Sequence, residues 1–282
     1  MSHNADKDES GRELALIIVG MHKLADELFV EVDALFENGR SRLVWQPSSY
    51  GRASGLAALG HLCHHLDVLR NLSETDGDPQ LSSLIARHQL ETWATGACLL
   101  LGDESDTAAF LGQASRLEDF QLATRQELIG KGVLTQDWPL PKREFKGIEP
   151  DEWKYQEVFS RAAALLADAN IVTGAEHLYD TIYRPLSNQL GAHPTPYVFD
   201  KYITRGALRI QVSRIPDYEG TADIGISQST LNYVTALLMT INYAMAAAVR
   251  LEIDRQPLVQ TLGRFDELRA LLVTHMTLSP RT

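Results

Sequence analysis

Ser229-Thr-Leu-Asn232-Tyr233-Val-Thr235-Ala-Leu-Leu-Met-Thr240-Ile-Asn242-Tyr243-Ala-Met-Ala-Ala-Ala-Val249 runs for 21 residues without a charge. That length approaches what spans a bilayer. Asn232, Thr235, Thr240 and Asn242 are spread along it, however, and no basic cluster marks one flank. The stretch therefore reads as the central helix of a bundle, apolar on all sides because other helices surround it. An all-α fold follows, bundle-like, with about seven or eight helices, and no membrane association is expected.

Working outward, Ser227 caps this helix and Pro257 separates it from a last amphipathic helix ending near His275. On the N-terminal side, Leu208 to Ser213 alternates apolar and polar residues as a half-buried strand does. Thr221 to Ile226, beyond the turn at Pro216 to Gly220, is its expected partner in one small β-hairpin. Earlier in the chain, Ser10-Gly-Arg-Glu13 has capping-box form and is expected to open a helix reaching about Asn38. Residues 1–11 are polar and acidic and read as a disordered tail, with a single helical domain over 12–282. Further helices are expected over Ala53 to Leu72, Pro79 to Gly102, Ser105 to Gly130 and Asp151 to Ala169. A capping box at Thr173 to Glu176 starts another.

Two segments carry chemistry. Between Leu81 and Gly102 the only charges are Arg87 and Glu91, one helical turn apart. A helix this apolar is expected to be buried, so its charges must be paired, either as an internal ion pair or facing a ligand. The second segment is Tyr179-Asp-Thr-Ile-Tyr183-Arg184-Pro185-Leu-Ser187, with His193 downstream. Tyr179, Tyr183 and Ser187 share one helix face, and Pro185 is expected to kink or end the helix between Thr181 and Arg184. His193 is a candidate general acid/base, with Arg184 and Tyr183 as catalytic companions. Arg87, Glu91, Tyr179 and Ser187 are the candidate ligand-binding residues. A metal reading rests on His61 and His65, spaced i,i+4, with His88 or Glu91 from the next helix as a further ligand.

The remaining signals are exclusions. A net charge of −11 argues against an extended grip on nucleic-acid backbones. Cys63 and Cys98 form no C-x-x-C pair and suit a reducing cytoplasm. No P-loop, dinucleotide fingerprint or G-x-S-x-G elbow occurs, so no cofactor is expected.

Arg87-His-Gln-Leu-Glu91, followed by Tyr183-Arg-Pro-Leu-Ser187 and His193, resembles the pattern of an uncharacterised bacterial family of all-helical domains. The likeness covers about Ala53 to Val249. That family is in turn similar to the higher-eukaryote-and-prokaryote nucleotide-binding superfamily, many members of which are metal-independent ribonucleases. Their motif has four to six residues between Arg and His; here eight residues separate Arg184 from His193. The first reading is thus a binding or regulatory protein, homo-oligomeric, holding a small ligand or nucleotide in its polar cluster. A nucleotide- or RNA-acting enzyme and a metal-dependent hydrolase are the alternatives.

Overall fold

In the computed structural model the chain is all-α. The structure describes residues 2–40, 50–75, 78–136, 144–145, 148–149, 154–171, 178–184, 203–205, 210–212 and 227–278. Seven α-helices occupy them: α1 (Ser2–Arg40), α2 (Tyr50–Glu74), α3 (Pro79–Leu101), α4 (Glu104–Gly130), α5 (Tyr155–Asp168), α6 (Gln228–Arg250) and α7 (Gln256–Leu278).

The charge-free stretch is α6, and it lies in the middle. Its long apolar window passes for a membrane span by length and composition, yet 83% of that window is buried inside the molecule. It packs most extensively on α2 and α3, and those two on each other, forming an inner three-helix layer. Leu56, Leu59, Leu62, Leu66 and Leu69 supply the buried stripe of α2. Their three- and four-residue spacing is what keeps one helix face turned inward. Ala86, Leu90, Trp93, Ala94 and Ala97 do the same for α3. Helix α5 covers the outer side of α3 through Val158, Phe159, Ala162 and Leu166. Helices α1 and α7 pack chiefly on each other and reach the layer mainly through α6, with α1 also paired to α2 by Asp26–Arg70 and His22–Glu74.

The caps explain where helices begin. Asp78 accepts the Gln80 N–H with Pro79 at the first helical position, and Ser227 accepts from the Thr230 N–H. Helix α4 starts one residue before the expected Ser105. Asp103 is its N-cap and exchanges reciprocal bonds with Asp106, an acidic version of the capping box. Asn170, at φ 57°, provides the left-handed stop after α5.

The structure adds detail to three expectations. Helix α1 begins at Ser2, so the capping box expected at Ser10 to Glu13 lies inside it and not at its start. No proline or glycine precedes Gly11, so nothing in the chain halts the helix earlier. The strand-forming segment pairs with residues before it. Ile210–Val212 runs antiparallel to Ile203–Arg205, with Thr204 opposite Gln211. Alternation identifies a strand but not its partner. Third, Tyr179–Tyr183 is not α-helical but a π-helical turn, closed by an Arg184 N–H bond to the Tyr179 carbonyl. The distortion falls just ahead of Pro185, where the missing donor demands one. The expected partner strand at 221–226 and the capping box at 173–176 lie outside the described residues.

Candidate metal centre

Helices α2 and α3 form an adjacent pair, and their facing polar positions carry histidine. His61 and His65 stand one turn apart on α2; His88 answers from α3. One ligand nitrogen from each ring lies within 4.8 Å of the other two. Ring centroids are 4.2 Å apart for His61–His65, 5.0 Å for His65–His88 and 5.3 Å for His61–His88. A tetrahedral zinc ion with bonds of ~2.0–2.1 Å needs its ligand nitrogens about 3.3 Å apart. His65 is buried, whereas His61 and His88 are exposed, so a bound ion would keep one face toward water.

Around this triangle the polar groups are ordered. Glu91, one turn after His88 on α3, places its Oε2 3.6 Å from His88 Nδ1. Its other oxygen, Oε1, accepts a 3.0 Å bond from Arg87 Nε and a 2.9 Å bond from the Tyr183 hydroxyl. Arg87 also donates from Nη2 to the Tyr183 hydroxyl at 3.4 Å and lies 5.5 Å from the ring centroid. Tyr179 stacks on Tyr183 at 5.3 Å, and Tyr155 and Phe159 close the aromatic group. On the other side, His65 is in contact with Gln89, whose amide nitrogen donates to the Thr240 hydroxyl. Among the described residues His65 Nδ1 and Gln89 Oε1 are buried without completing a hydrogen bond.

Electrostatics favours neutral imidazoles. Burial pushes His65 down to about 4, with the neighbouring His61 and His88 adding to it. Burial, with His88 and His64 nearby, lowers His61. Neutral imidazole is the form that ligates metal. Glu91 behaves oppositely: burial alone would lift its carboxyl, but contact with His88 and Tyr183 and the Arg87 charge hold it below the usual range. It is an anion in place. Burial raises Tyr183, and the Glu91 charge reinforces the rise against the Arg87 contact. A phenolate at Tyr183 is thus disfavoured at neutral pH, which argues against its serving as a catalytic base.

The two segments singled out by sequence do converge. Arg87, Glu91 and Tyr183 touch although Glu91 and Tyr183 are 92 residues apart, and Tyr179 joins through its ring. Arg184 does not join them: it is exposed and pairs with Asp180 on its own turn at 3.1 Å. As the next residue along the turn from Tyr183, it projects from a different face. Ser187 and His193 lie outside the described residues. Gln89 escaped sequence reasoning; as a polar residue between His88 and Leu90 on a buried helix, it carried a signal. No family model, curated protein or solved structure matches this chain, so the resemblance drawn on Arg87–Glu91 and Tyr183–Ser187 rests on those residues alone.

Proposed function

We propose that this protein is a helical metal protein, with one zinc-type divalent ion held by His61, His65 and His88 and a fourth position open to water. The observation that carries this reading is the convergence of three imidazoles from two helices, one of them buried. Three protein nitrogens plus a solvent-facing position is the arrangement of hydrolytic zinc sites, where the bound water ionises near neutrality. A metal-dependent hydrolase is accordingly the activity that fits the centre. The acidic surface, at net charge −11, raises the local concentration of divalent cations. Elemental analysis of the purified chain, with zinc titration calorimetry, tests the reading. One equivalent bound by the wild type and lost in His65→Ala is expected. Absence of saturable binding would refute it.

A small-ligand or nucleotide pocket at Arg87 is the second reading, supported by a guanidinium whose side chain stays 24% exposed. Nucleotide titration of the wild type and Arg87→Ala examines it; identical heats from both would exclude it.

A further inference from the structure

Resting on that metal reading, we infer that Glu91 is the positioning carboxylate of the centre, with Arg87 and Tyr183 setting its orientation. The geometry divides the labour between its two oxygens. Oε1 is engaged twice, by Arg87 Nε at 3.0 Å and the Tyr183 hydroxyl at 2.9 Å. Oε2 is the one turned to His88, 3.6 Å from Nδ1. The contact is longer than a hydrogen bond; drawn in to hydrogen-bond length, a carboxylate at Nδ1 would hold the ring proton there and leave Nε2 bare for an ion. His88 requires this help more than His65 does. Its side chain is 55% exposed, so packing alone does not fix the ring, whereas His65 is held by burial. Arg87 and Tyr183 keep the carboxylate from turning to solvent, and Tyr183 is itself held by Tyr179, Tyr155 and Phe159. A polar chain thus runs from the π-helical turn through Glu91 and His88 to the ion, and the aromatic turn becomes part of the metal site without touching it.

Zinc and cobalt(II) titrations of the full chain test this, with circular dichroism as the folding control. Glu91→Gln is expected to weaken zinc binding about 10- to 100-fold, the usual range for losing such a carboxylate. Tyr183→Phe, which removes one anchor of Glu91, should weaken it less and in the same direction. In a His88→Ala background, Glu91→Gln should cause no further loss, because its route to the ion is gone. At matched occupancy, the visible cobalt spectrum should differ between wild type and Glu91→Gln. Zinc affinities within twofold across Glu91→Gln and Tyr183→Phe, or an equal loss with and without His88, would overturn the inference while leaving the site intact. Failure of the wild type itself to bind zinc would instead sink the metal reading. Should Glu91→Gln not fold, the zinc affinity and the cobalt spectrum of Tyr183→Phe, each compared with wild type, decide.

Discussion

Single side chains here are governed mainly by how deeply they lie. Burial pushes the thiols of Cys63 and Cys98 up to about 12, with Asp33 and Asp106 adding negative charge nearby. A thiolate is the reactive form, so both cysteines should be sluggish. With a chromogenic disulfide at pH 8, native protein should release far less than one equivalent over minutes, and unfolded protein two; rapid labelling of native protein would contradict the burial. His22 illustrates the same competition. Its Nδ1 lies 3.1 Å from Glu74, a contact that by itself would favour the charged ring. Burial outweighs it and lowers His22 below its ordinary 6.5. Above that value both folded and unfolded chains carry neutral His22, and its contribution is constant. As pH falls below 6.5 the unfolded chain takes the proton first, so stability drops until the lowered native value is passed. Urea midpoints at pH 7.5 and 5.5 should therefore separate more for wild type than for His22→Phe. Equal separations would show that His22 does not titrate differently on folding.

At the level of helices, the tight contacts are made by what is missing. A Cβ on Gly55 would lie 2.8 Å from the Leu100 backbone, and one on Gly96 would lie 2.7 Å from Ala58 Cβ and 2.9 Å from Tyr243 Cζ. These glycines let α2, α3 and α6 approach closely, and the Tyr243 hydroxyl crosses the gap to donate a 2.7 Å bond to the Gly55 carbonyl. Gly96→Ala should destabilise by about 1–3 kcal/mol through overpacking, and Tyr243→Phe by about 1 kcal/mol through the lost hydrogen bond. Because the substitutions meet at one point, the double variant should lose less than the sum of the two. Denaturant midpoints measure all three, and strict additivity would contradict the shared contact.

The element scale also shows what was legible beforehand. Asp78 and Ser227 could be read as caps because such residues act on backbone groups two or three positions away. Arg87 and Glu91 were conspicuous as the only charges on an apolar helix. What escaped depends on distance. The strand that pairs with Ile210–Val212 and the π turn at Tyr179–Tyr183 are set by tertiary packing and by a change of helical pitch. Similarly, i,i+4 spacing announced His61 and His65. Choosing His88 and Glu91 for ligand and supporter required the alignment of α3 against α2.

For the molecule as a whole, the proposed ligands join two of the three inner helices, so metal should be coupled to global unfolding. An ion that binds only the folded chain adds about 2.7 kcal/mol at a hundred times its Kd. For a chain of 282 residues that corresponds to an upward shift in Tm on the order of 5 °C. Zinc should produce the shift in wild type but not in His61→Ala/His65→Ala. The same shift in the variant would assign it to loose cation binding by the acidic surface.

The close passage at Gly55, Gly96 and Tyr243 also has a genealogical consequence. A mutation that adds bulk at position 96 is harmful while tyrosine stays at 243, and becomes more tolerable once the hydroxyl has gone. Descendants of this chain should therefore inherit the two positions as a linked pair, with the order of replacement constrained. Reconstructing the intermediates in both orders would reveal one passable route and one barrier.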